Sequence, residues 1–400
     1  MTAETIVPIA GDFAQDAHSF AESLRKDGPV RRVLMPRGLE CWMVTGYAEA
    51  RTLLADPRLL KSSERAFRLF EGKVPGEARQ GGVGQPLGWH MLNMDPPDHT
   101  RLRRLVNKAF TARTVARLRP RIEEITAELL GALEGRERAD LLAAFAEPLP
   151  ITVICELLGV ATGDRRDFSA WTHTLLVTAE TAEIRNAADR MHAYLSALIA
   201  RKRAEPAEDL LSDLVHAGDD GDSLSETELL SMAFLLLVAG YETTVNLIAN
   251  SVLALLRAPE QLAALRADPG LMPGAVEEFL RYDGPIHLAT LRFAAEDVEI
   301  GGVTIPAEDF VLISLLGANR DGERFEDPAS LDVTRPAGGH LAFGHGIHYC
   351  VGAPLARLEA EIALSALIER FPGLELDEGE LNYRASGVIH ALETLPVRLT

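Results

Sequence analysis

The chain has 400 residues, of which 47% are hydrophobic and 25% charged, and its formal net charge is −19. A chain of this length can bury a large core, in one large domain or in two of ordinary size. Its acidic balance, with an isoelectric point near 5.1, argues against a general nucleic-acid-binding protein.

The three cysteines are odd in number and far apart in the sequence, so a disulfide framework is not expected. Three thiolates are also too few for a four-cysteine iron–sulfur cluster. The sequence has neither a G-x-G-x-x-G fingerprint after a strand nor a G-x-x-x-x-G-K-[ST] phosphate loop. A redox enzyme with this sequence would therefore take its electrons from a separate protein.

Targeting signals are not evident. No apolar run approaches the roughly 18 residues needed to cross a membrane. Residues 1–10 lack the basic start and the apolar middle of a signal peptide. We therefore expect a cytoplasmic protein with no membrane contact.

The first ninety residues are predicted to mix helix and strand. Helical periodicity covers 13–26, two short β-type runs follow at 30–35 and 41–45, and 47–55 indicates a short helix. Residues 61–89 are glycine-rich and have no strong periodicity. A loop of this length is either disordered or functional, often as a lid.

A cationic segment follows at 99–121, where a helix is predicted to begin near Asp98. It has no acidic residue and eight cationic ones: Arg101, Arg103, Arg104, Lys108, Arg113, Arg117, Arg119 and Arg121. Most runs of like charge are solvated helix faces. His99 and Arg103 are four residues apart and so share one helical face, where they could bind an anionic ligand.

Residues 122–203 predict successive helices, including 139–159 and 164–180. The β-branched stretch 151–154 favours a strand by propensity, but the residues that follow it favour a helix.

The longest predicted helix covers 226–258. Ser225 and Glu228 have the spacing of a capping box, and Pro259 marks the end. At 1.5 Å per residue such a helix is about 50 Å long, enough to cross the molecule.

The middle of this helix carries Gly240, Glu242 and Thr243. A threonine inside a helix commonly bonds back to a backbone carbonyl and has no further role. An acid and an alcohol beside a glycine could also form a groove in which dioxygen receives protons.

In the C-terminal part, Glu278 and Arg281 are three residues apart on one helical face and could pair. The Gly301-Gly302 dipeptide between two β-type runs predicts a hairpin over 298–305, and 310–316 predicts another strand. Short strand-like runs recur over 374–399.

Cys350 lies between glycines in a loop that opens onto a helix starting at Ala353. The N–H groups and partial positive charge of that helix end favour thiolate over thiol. This setting suits an axial thiolate ligand to haem iron. Two alternatives stay open: a small buried cysteine, and a zinc site built with His340, His345 and His348, although paired ligand spacing is lacking.

The spacing Phe343-x-x-Gly346-x-His348-x-Cys350-x-Gly352 resembles the haem-ligand signature of soluble bacterial cytochrome P450 enzymes. Matching motifs follow in the family's order from Leu92 to Gly352. The resemblance implies a mainly α fold with a smaller β-rich part at about 30–60, 286–316 and 374–400. It also implies a single triangular domain over 1–400, built around a b-type haem.

The resemblance also assigns roles to residues. Cys350 is the expected iron ligand, Thr243 and Glu242 match the oxygen-activation motif, and Glu278 with Arg281 matches a structural ion pair whose third partner is Arg335. The remaining expected haem contacts, with propionate binding by His99, Arg103 and Arg292, are Leu92, His99, Arg103, Ala239, Gly240, Arg292, Phe343, Gly344, Gly346, His348, Gly352 and Ala356.

The implied reaction inserts one oxygen atom of O2 into a C–H bond or an alkene. Electrons would come from NAD(P)H through a reductase and an acidic ferredoxin-like donor that docks near 99–121 on a monomeric enzyme. The nearest resemblance is to enzymes that tailor macrolides and other polyketides. The expected substrate contacts are Leu87, Trp89, Leu175, Leu236, Ala239, Leu288, Ala289 and Ile389.

Three other functions remain open on the sequence. The chain could be a catalytically silent partner or scaffold of the same fold, although intact Cys350 and Thr243 argue against this. It could be a haem-based gas sensor, which would normally need an output domain. It could also be a peroxygenase driven by hydrogen peroxide, which often lacks the acid–threonine pair.

Overall fold

The computed structural model describes residues 6–9, 13–36, 38–74, 85–177, 181–219 and 222–399. Helices make up most of this part of the chain. They are α1 Ala17–Lys26, α2 Tyr47–Ala55, α3 Ser63–Lys73, α4 Gln85–Gly88, α5 Asp98–Ala109, α6 Ala112–Arg117, α7 Arg119–Gly131, α8 Pro148–Leu157, α9 Arg165–Val177, α10 Thr181–Ala204, α11 Leu210–His216, α12 Glu226–Arg257, α13 Pro259–Ala267, α14 Met272–Asp283, α15 Leu315–Asn319 and α16 Ala353–Arg370.

The strands are short and lie mostly near the two ends of the chain. They are β1 Val7–Pro8, β2 Val30–Leu34, β3 Glu40–Val44, β4 Leu59–Leu60, β5 Arg138–Asp140, β6 Gly218–Asp219, β7 Asp222–Ser223, β8 Arg292–Ala294, β9 Val298–Ile300, β10 Val303–Ile305, β11 Phe310–Ile313, β12 Glu375–Leu376 and β13 Pro396–Arg398. The mainly α architecture with a smaller β-rich part is as predicted.

The largest sheet has six strands in the order β1-β2-β3-β11-β8-β4. β2 and β3 pair antiparallel, whereas β3 and β11 pair parallel, with Val311 opposite Trp42. Successive residues of β3 are buried on opposite faces, Trp42 and Val44 in one apolar cluster and Cys41 and Met43 in another. Both faces of the sheet are therefore covered.

α12 is the centre of the helical part. The predicted capping box is confirmed: Ser225 Oγ accepts from the Glu228 N–H at 3.3 Å, and the Glu228 carboxylate accepts from the Ser225 N–H at 2.8 Å. α4, α8, α14 and α16 pack around it. Its length and apolar composition would suffice for a membrane span, so the expectation that no apolar run approaches that length is wrong. However, 78% of its most apolar window is buried inside the protein, as in a core helix.

Several local predictions are confirmed. α1, after a 3-10 turn at Phe13–Gln15, and α2 lie where helices were expected. α9 covers most of the predicted 164–180 helix, whose last three residues lie outside the described ranges. The β9–β10 hairpin turns at Gly301 and Gly302, both with positive φ.

The prediction of one long loop over 61–89 is wrong. α3 occupies the first part and α4 the last, while 75–84 lie outside the described residues. Ala66, Leu69 and Phe70 on α3 are half-buried against the sheet cluster, while Phe67 is 59% exposed. Ala66, Leu69 and Phe70 have the i, i+3, i+4 spacing of an amphipathic helix, which the glycine content of the segment obscured.

The predicted 139–159 helix is also wrong in its first half. Residues 138–140 form β5, and a π-helical turn at Leu142–Ala146 precedes α8. Asp140 Oδ1 accepts from the N–H groups of Leu142 at 3.1 Å and Leu395 at 2.9 Å, which ties the chain to its C-terminal end. The 310–316 strand likewise ends early, because Ser314 caps α15 through the Gly317 N–H at 3.1 Å.

Candidate active site

Cys350 lies in the turn between a 3-10 segment, Gly346–His348, and the first residue of α16. Its N–H donates to the Phe343 carbonyl at 2.9 Å, which closes the loop. The backbone N–H groups of Gly352 and Ala353 lie close enough to its sulfur to lower the pKa of the thiol. The sequence predicted this contact between the sulfur and the start of a helix.

The ionisation of Cys350 differs from the expectation. Burial raises the pKa of the thiol above its usual value, and it outweighs the two N–H contacts and the guanidinium groups of Arg103 and Arg357, which lower it. The residue nevertheless has solvent-accessible surface. A sulfur that is accessible yet surrounded by protein lines an internal space, and a cation bound there would stabilise the thiolate.

Charged side chains on α14 and α16 fix the loop. Arg357 donates to both oxygens of Glu277, at 2.6 and 2.8 Å, and its guanidinium lies 4.5 Å from the centre of the Phe343 ring. His340 Nε2 lies 3.2 Å from the same carboxylate. Burial raises the pKa of Glu277, but Arg357 and His340 outweigh it and bring the pKa to about 2. His340 is therefore already paired with Glu277. Among the described residues of this loop, no three side chains are close enough together to hold a zinc ion.

Gly346 has a φ of +74°, and an added Cβ would lie 2.8 Å from Ala55 Cα and 2.9 Å from the Leu54 carbonyl. The glycine therefore permits close approach of the loop to α2. Its expected contact with haem stays a prediction. Gly352, by contrast, has helical φ and ψ, and its Cβ would meet Cys350 Sγ at 3.8 Å.

The middle of α12 is open where the rest of the helix is buried. Ala239 is exposed and Thr243 is partly exposed, although both are deep in the helical core. Thr243 Oγ1 donates to the Ala239 carbonyl at 2.9 Å, as expected of a helix-interior threonine. Gly240 leaves room for Ile154 of α8, whose Cδ1 would lie 2.9 Å from an added Cβ.

Glu242 and Thr243 are in different surroundings. The Glu242 side chain is only 6% exposed, and its carboxylate accepts from Arg384 at 3.1 Å. Asn246 Nδ2 donates to the Glu242 backbone carbonyl at 2.7 Å. No hydrogen bond joins Glu242 to Thr243 among the described residues. Sequence reasoning missed Arg384, because nothing local indicates a partner so far along the chain.

A cluster of basic side chains lies beside Cys350; we call it the cation cluster. Its members are Lys61, His99, Arg103, Arg292 and His348. The rings of His99 and His348 are 4.3 Å apart. Within the described ranges, neither ring nitrogen of His99 nor the Lys61 Nζ has a hydrogen-bond partner, although both residues are buried. The Arg292 guanidinium donates to the Thr290 carbonyl at 2.8 Å.

The pKa values of these groups show how little negative charge is nearby. Burial, and then the charge of Arg292, lower the pKa of Lys61 well below its usual value. Burial lowers that of Arg292 to about 10. Burial, and then the surrounding cations, lower that of His348 to about 2. Asp95 offsets part of this, but its carboxylate caps the backbone N–H groups of Lys61 and Ser62.

These residues fit an anionic ligand that also reaches the sulfur. No ion pair involves any member of the cation cluster among the described residues, and unpaired buried charges are costly. Arg103 and Cys350 are close enough to influence each other's pKa. A haem carries an iron cation and two carboxylates, so it would supply a partner for the sulfur and partners for the cation cluster. Lys61 was not among the residues predicted from the sequence.

Glu278 and Arg281 form a fully buried, bidentate ion pair with contacts of 2.6 and 2.7 Å. Arg335 reaches the same carboxylate at 3.2 Å. Arg281 also donates to three backbone carbonyls, those of Asn319, Pro328 and Ser330. The network joins α14 to the chain that precedes the Cys350 loop.

The remaining expected haem contacts lie on three elements. Leu92 is half-buried on a 3-10 turn before α5, Phe343 and Gly344 lie on the Cys350 loop, and Ala356 lies on the first turn of α16.

The expected substrate contacts fall into two groups, buried residues of the apolar clusters and more exposed residues. Leu87, Leu175 and Leu236 belong to one buried apolar cluster of the helical part. Leu288 and Ala289 belong to the two clusters on opposite faces of the sheet. Three residues are more open: Trp89 is 49% exposed, Ala239 is exposed on α12, and Ile389 is half-buried in a bridge to Ile286.

The cationic segment 99–121 is partly neutralised within the protein. Arg101 pairs with Glu228, Arg119 with Glu361 at 2.9 Å, and Arg121 with Glu156 at 2.9 Å. Arg103 belongs to the cation cluster. Exposed cations without an acidic partner in the described chain include Arg113 and Arg117 on α6, which packs against α16.

Comparison with known proteins gives concordant matches. The family model for cytochrome P450 matches residues 270–389. Cytochrome P450 107B1 of Saccharopolyspora erythraea is 53% identical over 96% of both chains. The cytochrome P450 monooxygenase PikC of Streptomyces venezuelae is 50% identical over 97% of this chain and 92% of its own. The tirandamycin C-bound P450 monooxygenase TamI superposes with a TM-score of 0.92 at 50% identity, covering 98% of this chain and 100% of the other.

The chain combines a sulfur at a helix start, an opening in the central helix at Ala239 and Thr243, and a cation cluster without ion pairs in the described part. These features occur together with matches over nearly the full length. The chain belongs to the cytochrome P450 family and is a P450 monooxygenase, similar to bacterial enzymes that tailor macrolides and polyketides.

Proposed function

We propose that this enzyme hydroxylates or epoxidises a large, mostly apolar natural product of the macrolide or polyketide class, with haem b as its cofactor. The observation that carries the haem site is the cation cluster beside the Cys350 thiol. Its buried charges lack an anion, and the adjacent sulfur lacks a cation. Haem propionates and haem iron would supply both.

In this proposal Cys350 ligates the iron, with the Gly352 and Ala353 N–H groups holding the sulfur. His99, Arg103, Arg292 and Lys61 bind the propionates. When bound, haem supplies the activation of O2 and the oxygen transfer, with the thiolate favouring O–O cleavage. The protein orients the substrate and excludes water from the site.

Thr243 and Glu242 are proposed to handle protons. The Thr243 hydroxyl faces the opening in α12 and can turn from the Ala239 carbonyl to hydrogen-bond a ligand there. Glu242 is buried and ionically paired with Arg384, so it must release this partner before it passes a proton to Thr243. Removing the hydroxyl would leave the protons poorly positioned.

Electrons are proposed to come from NAD(P)H through a reductase and an acidic ferredoxin, in the cytoplasm, to a monomeric enzyme. Arg113 and Arg117 are exposed on α6, and Ile347 and Tyr349 of the Cys350 loop are 52% and 39% exposed. An apolar centre with cations beside it is a suitable docking surface for an acidic partner.

The substrate class rests on the relatives. Two relatives at 46% identity are named 6-deoxyerythronolide B hydroxylase and mycinamicin IV hydroxylase/epoxidase. A third, at 47%, is named vitamin D(3) 25-hydroxylase. The names share a large, mostly apolar substrate. A spectral binding screen of macrolides and related compounds, followed by mass spectrometry of the products, tests the proposal.

The ligand assignment is tested by the reduced, carbon-monoxide-bound spectrum. The wild-type protein and Cys155→Ala should give the band that thiolate ligation produces, whereas Cys350→Ser should lose it. An unchanged band in Cys350→Ser overturns the assignment.

A second experiment separates the proposed reaction from its alternatives. Thr243→Ala should divert reducing equivalents to hydrogen peroxide when a surrogate ferredoxin and NADPH supply electrons. Unaltered coupling would remove Thr243 from the mechanism. Product formed from hydrogen peroxide alone, and none from the ferredoxin system, would indicate a peroxygenase instead.

A further inference from the structure

Three side chains outside the Cys350 site converge between α1, the end of α14 and the C-terminal chain. His18 Nε2 lies 2.7 Å from Asp283 Oδ1, and His390 Nε2 lies 3.0 Å from the same oxygen. All three atoms lie within 4.8 Å of one another. We call these residues the His–Asp–His cluster. The proposed oxygenation makes no use of it.

The atoms match the ligands that zinc takes in proteins, since two imidazole nitrogens and one carboxylate oxygen form a known zinc set. Zinc binds such atoms at about 2.0–2.2 Å, so ligand atoms around a tetrahedral ion lie about 3.3 Å apart. The His18 contact with Asp283 would have to widen by about 0.6 Å and the His390 contact by about 0.3 Å.

The donor types also suit a metal, because carboxylates in the ionised form and imidazoles in the neutral form bind transition-metal cations. The nearby Arg320 offsets part of the carboxylate's charge, so we expect moderate affinity.

His287 packs against the cluster. It is 1% exposed, neither of its ring nitrogens has a hydrogen-bond partner among the described residues, and its ring centre lies 4.5 Å from that of His390. Its nitrogens do not belong to the group of ligand atoms that lie within 4.8 Å of one another, so the ring forms a wall of the site and not a ligand.

A path for the ion exists on the α1 side. The His18 side chain is 22% exposed, whereas those of Asp283 and His390 are 13% and 4% exposed. An ion can therefore arrive past His18 and be held by the two more deeply placed ligands.

We propose that the His–Asp–His cluster binds one Zn2+ or a similar transition-metal cation through His18 Nε2, Asp283 Oδ1 and His390 Nε2, with water at the fourth position. The ion would join α1 to α14 and to the C-terminal chain. That chain also carries Ile389, which pairs with Ile286.

The experiment uses the full-length, haem-loaded protein without a histidine tag, cleared of metal with a chelator and then titrated with Zn2+ against a competing fluorescent indicator. Bound zinc per chain is measured by mass spectrometry of the metal content. The variants are His18→Gln and His390→Gln. The matched control is His192→Gln, an exposed histidine on α10.

We expect one zinc per chain in the wild type and in His192→Gln, and affinity at least about tenfold lower in the two cluster variants. Zinc should raise the melting temperature of the first two proteins only. Because His18 lies at the surface, His18→Gln should fold normally and decides the question even if His390→Gln does not fold. If His18→Gln binds zinc as tightly as the wild type, or if the wild type binds none, the proposal is overturned. The cluster is then a set of hydrogen bonds and not a metal site.

Discussion

Two buried groups of charged side chains in this protein differ in one respect. In the Glu278–Arg281–Arg335 network every charge has an opposite partner, and Arg281 also donates to three carbonyls. In the cation cluster, Lys61 and His99 are as deeply buried but have no partner for Nζ or for the ring nitrogens. A complete network supports the fold, whereas an incomplete one marks the place of an anionic ligand.

The largest expected effect lies in the complete network. Arg281→Ala removes the bidentate partner of Glu278 and leaves the buried carboxylate with Arg335 at 3.2 Å and the Asp332 N–H at 3.0 Å. It should therefore lower the free energy of unfolding by about 3–5 kcal/mol. Urea denaturation of the purified protein measures this.

Arg68→Ala is the matched control for Arg281→Ala. Arg68 pairs with Glu64 four residues away, and both side chains are more than 60% exposed. Such surface pairs contribute about 0–1 kcal/mol. Equal losses in the two variants would contradict the difference drawn between buried and exposed pairs.

In the cation cluster, Arg103→Ala should act on the ligand more than on the fold. A charged hydrogen bond contributes about 1.5–3 kcal/mol, so haem should dissociate roughly 10–150 times faster. Transfer of haem to apomyoglobin measures this rate without any turnover. Arg113→Ala, on the exposed face of α6, should leave the rate unchanged. A haem-loss rate in Arg103→Ala equal to that of the wild type would remove Arg103 from the site.

Lys61→Met should be favourable in the haem-free protein and unfavourable in the haem-bound protein. In the haem-free protein it removes an unpaired buried cation and should raise stability at pH 7 by about 1 kcal/mol or more, whereas in the haem-bound protein it should weaken haem binding.

The gain from Lys61→Met depends on pH. In the folded protein the pKa of Lys61 is depressed. Between that pKa and the unfolded value of about 10.4, the unfolded chain binds more protons than the folded protein does, so the stability of the wild type rises with pH. The advantage of the variant should shrink from pH 7 to pH 10, as measured by denaturation across that range. A gap that widens instead would contradict the unpaired state of Lys61.

The smallest effect on stability is expected for the exposed cations of α6 that have no acidic partner in the described chain. Arg113→Ala and Arg117→Ala should leave stability within experimental error and weaken ferredoxin binding by about two- to fivefold each, less so at high salt. The Michaelis constant for the donor at two salt concentrations measures this. Arg68→Ala serves again as a control, and salt-independent weakening would argue against an electrostatic role.

Local features of this fold were predictable from the sequence, and features that depend on distant segments were not. The cap of α12 and the turn at Gly301-Gly302 depend on neighbouring residues, and both were found as predicted. The break before α8 depends on Asp140 binding the Leu395 N–H, which no local pattern reveals.

In the Cys350 site, too, residues close in sequence were predicted together and residues on distant segments were missed. Cys350 and His348 belong to one motif, so they were recognised together. Lys61 and Arg384 lie on segments far from that motif, and each is placed by the folded chain alone. The use of Gly346 against α2 was likewise invisible until the loop and that helix were seen in contact.

The order of strands in the six-stranded sheet has a consequence for synthesis on the ribosome. β3 pairs with β11 and β4 with β8, and about 230 residues separate β4 from β8. At roughly 5–20 residues per second, translation of that stretch takes on the order of 10–50 s. During this time the β2–β3 hairpin has an open edge rich in apolar side chains, which is prone to pair with other chains. A nascent-chain chaperone that shields the first sixty residues would therefore increase the yield of pigmented enzyme.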